Sequence, residues 1–234
     1  MCLQISVDIA QGQSTTALIY PAQIKTRLPA TLILAHGAGA PQLHPFMVSF
    51  ARAFSERGLD VVTFNFLYAE QRRKVPDRMP QLITCYRAVI EAARAELPSA
   101  RERLFIGGKS MGGRAATHVA ADDAALVLAG LVLLGYPLHP PGRPEQLRDA
   151  HLPDVRRPML FVQGSRDTFG TPAELEPVLA QLEPPPVLHV VEGGDHSFKL
   201  PGSDAARQGA VYDGIQQTIT GWIGPLSEDR AGGQ

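Results

Sequence analysis

One serine of the 234-residue chain lies between two glycines, in the segment Gly108 to Gly112 that reads Gly-Lys-Ser-Met-Gly. The apolar run Leu104 to Ile106 precedes it and the small-residue stretch 114–121 follows, which predicts a strand, a sharp turn and a helix. Such a turn raises the serine hydroxyl clear of the backbone, and the glycines remove Cβ atoms that would clash. The pattern predicts that Ser110 is a nucleophile. In a chain with 22 glycines it also fits a turn with an idle serine, so the partners of Ser110 must decide.

A carboxylate and then a histidine follow this serine along the chain, which is the order found in parallel α/β sheets that carry a serine nucleophile. Asp167 comes just after one apolar run and His196 just after another. Parallel strands end at the same edge of a sheet, so residues far apart in sequence can meet there. The histidine takes the serine proton, and the carboxylate holds the imidazole in the right tautomer. We expect Ser110, Asp167 and His196 to form this triad. Asp195 is a less favoured acid, because adjacent residues seldom place a carboxylate on the neighbouring ring.

The turn from Ala35 to Gly39 follows a third apolar run and reads Ala-His-Gly-Ala-Gly. Acyl transfer needs two N–H donors for the oxyanion, one from the residue after the nucleophile and one from the loop after the third strand. We expect Met111 to supply the first and Ala38 the second. His36 is expected to hydrogen-bond its own loop. Alone, the segment also fits a plain turn that ends a strand.

Two further residues are candidates for contact with a substrate. Tyr68 follows the fourth apolar run, and His139 follows the sixth in the segment Gly-Tyr-Pro-Leu-His. Both positions lie after strands that are expected to end at the edge where the triad forms. We therefore expect Tyr68 and His139 to bind substrate there, although aromatic residues on loops more often serve packing.

Eight short apolar runs are candidate strands, and amphipathic segments with helical spacing lie between most of them. The later runs are nearly free of polar residues, as in parallel strands covered on both faces, while 4–20 alternates like an antiparallel edge. Alternating strands and helices predict an α/β domain with an eight-stranded, mostly parallel sheet. The runs are Ile5–Ile9, Thr16–Tyr20, Thr31–Ala35, Val61–Phe64, Leu104–Ile106, Leu131–Leu134, Met159–Val162 and Val187–Val191.

Length and composition fit one globular domain, which we expect to span residues 1–226 and to end in a flexible tail, 227–234. Lys and Arg number 22 against 23 Asp and Glu, so no net charge would draw the chain to nucleic acid or an anionic membrane. No apolar run reaches the roughly 18 residues of a membrane span, and no secretory signal is recognisable, which indicates the cytoplasm. Cys2 and Cys85 fit reduced thiols. No metal or other cofactor is predicted.

Together these motifs resemble the small α/β hydrolases of the dienelactone-hydrolase-like branch. The segments Gly135 to Pro141 and Phe64 to Phe66 further resemble the KANL/Tex group of hydrolase-like proteins. The resemblance covers about residues 31–199 and implies a Ser-Asp-His triad with carboxylic-ester chemistry. Dienelactone hydrolases usually carry a cysteine nucleophile, and this chain has Ser110 instead, a departure that argues against their particular substrate.

The expected function is that of a serine hydrolase, which cleaves a small carboxylic ester or thioester through an acyl-enzyme. The alternative is a hydrolase-fold module that binds a protein partner with little or no catalysis. About two dozen residues separate the sixth and seventh runs, too few for a helical lid. We therefore expect an open site that takes a small molecule. The sequence carries no prediction of oligomeric state.

Overall fold

A single eight-stranded sheet forms the centre of the computed structural model, which describes residues 2–10, 12–23 and 27–228. The strand order is β1-β2-β4-β3-β5-β6-β7-β8. The eight predicted strands are confirmed, with small shifts at their ends. The strands are β1 (Leu3–Ala10), β2 (Gln13–Tyr20), β3 (Thr31–Ala35), β4 (Asp60–Phe64), β5 (Leu104–Lys109), β6 (Gly130–Leu134), β7 (Met159–Gly164) and β8 (Val187–Val191).

Six of these strands, β3 to β8, run parallel, and β2 joins them by pairing antiparallel with β4. The edge strand β1 pairs antiparallel with β2, as the alternation of residues 4–20 predicted. The strand before the nucleophile is longer than its apolar run. It continues through Gly107 and Gly108 to Lys109, because these backbones still pair with β6, and Gly107 and Gly108 also pair with β3.

Helices cover both faces of the sheet, and successive residues of each strand supply two separate apolar cores. The helices are α1 (Pro45–Glu56), α2 (Leu67–Glu70), α3 (Met79–Glu96), α4 (Pro98–Glu102), α5 (Met111–Ala121), α6 (Pro172–Leu179) and α7 (Ala205–Glu228). In β3, Ile33 packs in the core beneath α3, α5 and α6, whereas Leu32 and Leu34 pack in the core beneath α1 and α7.

The connection from β6 to β7 decides how open the ends of the strands are. Across residues 135–158, all of which the structure describes, a 3₁₀ helix at Leu152–Asp154 is the one helical element. No lid domain is inserted there. Within the described ranges, no helix is both long enough and apolar enough to cross a membrane. Of the predicted tail, residues 227 and 228 are the last of α7, and residues 229–234 lie outside the described part of the chain.

Candidate active site

The turn between β5 and α5 holds Ser110 in a left-handed backbone conformation, with φ 51° and ψ −116°. An ideal Cβ on Gly108 would lie 2.4 Å from the carbonyl oxygen of Ala35, and one on Gly112 would lie 2.5 Å from the same oxygen. Both contacts are impossible for a real Cβ, so the two glycines let the turn pack against the end of β3. Backbone strain of this kind costs about 1–3 kcal/mol and is typical of functional sites.

A chain of two hydrogen bonds joins the three predicted triad residues. His196 Nε2 lies 2.9 Å from Ser110 Oγ, and His196 Nδ1 lies 2.7 Å from Asp167 Oδ2. Asp167 is buried, while the His196 side chain is 21% exposed. A proton on Nδ1 donates to the carboxylate and leaves the lone pair of Nε2 facing the serine hydroxyl. This arrangement can accept a proton from Ser110 as the hydroxyl attacks.

Gln163 holds the acid in place, a contact that sequence reasoning missed. Its Nε2 donates to Asp167 Oδ2 over 2.9 Å and to the carbonyl of Gly170 over 2.7 Å. Its Oε1 accepts from the backbone N–H of Tyr136 at 2.8 Å. The N–H of Phe169 donates to the other carboxylate oxygen over 2.8 Å. The one signal in the sequence was a polar side chain, Gln163, directly after the apolar run that ends at Val162.

Asp195, the alternative acid, binds the backbone of its own loop. Its Oδ1 accepts the backbone N–H groups of Ser197 and Lys199, at 2.8 and 2.9 Å. These bonds close the loop that carries His196. The structure therefore brings Asp167, and not Asp195, to Nδ1 of the histidine.

The turn after β3 is fixed by a buried, neutral histidine. His36 Nδ1 donates to the carbonyl of Gly37 at 2.8 Å, and Nε2 accepts the N–H of Phe66 at 3.1 Å. Burial lowers the pKa of His36 from 6.5 to about 4, against the opposing effect of the Gly37 bond. The expectation that His36 bonds its own loop is confirmed. Ala38 then lines the same cavity as Ser110.

Met111 is the first residue of α5 and directly follows Ser110. Among the described residues, no acceptor binds the N–H of Met111 or that of Ala38. The first N–H groups of a helix lack partners within the helix and carry its partial positive charge. Met111 thus directly follows the nucleophile, Ala38 lines the cavity above it, and the N–H group of each is available.

A cavity of about 770 Å³ opens above Ser110 and His196. Three aromatic side chains line it, Phe46 from α1, Phe169 beside the acid and Tyr212 from α7. The ring of Phe169 stacks on His196 with its centroid 4.2 Å away. The cavity is largely apolar with a few polar groups, as small-molecule sites usually are.

The two predicted substrate contacts lie outside this cavity. Tyr68 is buried in α2, and its ring lies 5.9 Å from the ring of His36. His139 is buried as well, and its Nε2 lies 3.3 Å from Oε1 of Glu174 on α6, in a smaller separate pocket that Asp167 also lines. Tyr68 packs in an apolar core and His139 is buried beside Glu174, so neither side chain reaches the cavity above Ser110.

The family of the chain follows from its sequence as a whole. The sequence pattern of the family described as alpha/beta hydrolase domain matches residues 29–224. The chain belongs to the α/β-hydrolase family. The resemblance predicted from the motifs is confirmed at this level, and the parallel sheet with its turn at Ser110 is the fold of that family.

Solved structures agree with the placement of this α/β hydrolase. A lidless α/β serine hydrolase from Xanthomonas campestris is 23% identical, has a TM-score of 0.74 and is matched over 96% of this chain and 95% of its own. A dienelactone hydrolase from Anabaena variabilis is 19% identical, with a TM-score of 0.72 over 95% and 96% of the two chains. A serine hydrolase homologue from Coxiella burnetii is also 19% identical. Its TM-score is 0.73, and the match covers 93% of this chain and 97% of the homologue. At such low sequence identity, these structural matches establish the fold alone.

Proposed function

We propose that this α/β hydrolase is a serine esterase that cleaves small carboxylic esters or thioesters through an acyl-enzyme. The observation that carries the proposal is the unbroken hydrogen-bonded series from Ser110 through His196 to the buried carboxylate of Asp167. A serine without a role would need neither the strained turn nor an imidazole held at 2.9 Å.

In the proposed reaction, Ser110 Oγ attacks the carbonyl carbon while His196 Nε2 takes the hydroxyl proton. Asp167 stabilises the imidazolium that forms, and the N–H groups of Met111 and Ala38 bind the oxyanion. The carbonyl re-forms as the bond to the leaving alcohol or thiol breaks, and His196 returns its proton to that group. Water then attacks the acyl-enzyme in the same way and releases the carboxylic acid.

The cavity favours substrates with an apolar acyl or leaving group of modest size. Phe46, Phe169 and Tyr212 supply flat apolar surface close to the nucleophile, and the fully described connection 135–158 inserts no lid over them. Phe169 also packs on the base, so a substrate that fills this side of the cavity contacts His196 as well. We propose that small aromatic or short-chain esters fit this space best.

Fluorophosphonate labelling tests the proposal, because only an activated serine reacts quickly with such probes. We expect the wild type to be labelled and to hydrolyse p-nitrophenyl esters of short acyl length. The Ser110→Ala variant should fold, escape labelling and lose about a millionfold in kcat. A folded wild type that is neither labelled nor active on any ester of the series would contradict the proposal and favour a binding module instead.

A further inference from the structure

The side chain of Lys109, which precedes the nucleophile, has no part in the mechanism above. The residue is 8% exposed, and its Nζ is buried without a hydrogen-bond partner among the described residues. An isolated ammonium group is costly to bury, whereas methionine would fill a similar volume without that cost. The charge at this position therefore calls for an explanation beyond packing.

Lys109 lines the cavity next to Ser110, but its amine is buried and lies beside the base. An ideal Cβ on Gly135, whose φ is +60°, would lie 2.9 Å from Lys109 Nζ, 3.0 Å from the backbone oxygen of His196 and 3.4 Å from His196 Nδ1. The missing side chain of Gly135 thus leaves room for the amine and the imidazole to approach one another. On another side, Nζ is 5.6 Å from the ring centroid of Phe198.

The charged groups that face this amine are Asp167, Asp195 and His196. Burial lowers the pKa of Lys109 from 10.5 to about 8, and the carboxylates of Asp167 and Asp195 oppose that shift. Lys109 is therefore protonated at neutral and acidic pH. When His196 gains a proton, a second positive charge arises next to the first, in a region with little water to screen it.

We propose that Lys109 is a positioning residue whose positive charge, held beside the imidazole, opposes the gain of a solvent proton by His196. It acts through its charge on the imidazole, on the side of the Asp167 contact, and makes no contact with the reacting atoms. The inference rests on the proposed function, since it concerns the base of that reaction.

The pH profile of kcat/KM tests this role with the variant Lys109→Met. A like charge within about 4–6 Å disfavours the protonated form of a basic group and can lower its pKa by about one unit or more. We expect the acid limb of Lys109→Met to lie about one pH unit above that of the wild type. Its alkaline plateau should equal or slightly exceed the wild-type plateau, because the base without a neighbouring cation is stronger. A purely structural lysine would instead lower kcat/KM at every pH and leave the acid limb in place.

Lys199→Met is the matched control, because Lys199 is an exposed lysine near the same histidine. Water screens its charge, so its loss should move the acid limb by less than about 0.3 pH units. Equal shifts in the two variants would overturn the proposal. If Lys109→Met does not fold, Lys109→Gln takes its place.

NMR of the His196 ring in the wild-type protein gives a readout that needs no variant. Its resonances should show a second inflection near pH 8, where Lys109 loses its proton, and a flat trace there would overturn the proposal. Failure of the inference is distinct from failure of the proposed function. If the wild type hydrolyses esters and Lys109→Met has the same acid limb, only the role of Lys109 is contradicted. If the wild type hydrolyses no ester, the proposed function itself is contradicted.

Discussion

Gln163 donates to the same carboxylate oxygen of Asp167 that accepts the hydrogen bond from His196, at 2.9 and 2.7 Å respectively. The amide also joins the backbones of Tyr136 and Gly170, which follow β6 and β7. One buried side chain thus ties the acid to the ends of two neighbouring strands.

Gln163→Leu should lower kcat without raising KM. The variant keeps the approximate volume but removes a hydrogen bond to a charged group, which is worth about 1.5–3 kcal/mol or about ten- to a hundredfold in rate. Gln163 does not line the cavity above Ser110, so substrate binding should be unaffected. Steady-state kinetics on a variant shown by circular dichroism to be folded provide the check. An unchanged kcat would mean that Asp167 is oriented without the amide.

Asp167→Asn and Asp195→Asn should differ widely in effect. Asp167→Asn favours the wrong tautomer of His196 and should lower kcat by about four orders of magnitude. Asp195→Asn keeps an oxygen that can accept the two loop N–H groups, so its loss in kcat should stay within about tenfold. A larger loss for Asp195→Asn would contradict the assignment of the acid.

Gly112→Ala should destabilise the protein and damage the site together. The added methyl group would meet the backbone oxygens of Ala35 and His36 at 2.5 and 2.7 Å, so the end of β3 has to move away from the turn at Ser110. We expect a loss of more than about 2 kcal/mol in the free energy of unfolding, measured in urea, and a lower kcat.

Gly221→Ala is the control for that glycine. It is a helical position in α7 where, apart from the surrounding backbone of the same helix, nothing lies within 4 Å of the added methyl group. Alanine has the higher helix propensity, so the free energy of unfolding should rise by about 0.5–1 kcal/mol. Similar losses in both variants would show that the close approach at Ala35 is not what Gly112 provides.

Acidification should weaken the fold through His36. Its pKa is about 4 in the folded protein and 6.5 ordinarily, so the folded state disfavours the proton that the unfolded chain binds. The stabilising effect is complete above pH 6.5 and is lost progressively as the pH falls to about 4. His36→Gln should be less stable at pH 7 but should show a shallower decline between pH 6.5 and 4.5. Urea unfolding of the wild type and of His36→Gln across this pH range provides the check, and equal slopes would contradict the role of His36.

The sequence allowed the strands and the triad to be predicted because both depend on local patterns. A buried parallel strand is an apolar run, and the residue after it reaches a known edge of the sheet. Contacts between distant side chains follow no such pattern. His139 is buried beside Glu174 of α6, and Tyr68 packs in the core near His36 of a distant turn. The role of Gln163 likewise becomes apparent only when Asp167, Tyr136 and Gly170 are brought around it.

The nucleophile and the base stand on parts of the sheet with very different protection. Ser110 follows β5, which is buried and has a neighbour on each side, whereas His196 follows β8, which pairs with β7 alone and leaves Val187 and Val190 46% and 38% exposed. Amide hydrogens of β8 should exchange with solvent faster than those of β5, because edge segments open without global unfolding. In dilute denaturant, the base would detach while the rest of the sheet persists. Catalysis would then fail at a lower denaturant concentration than the fold, and it would return as soon as one edge strand closes again.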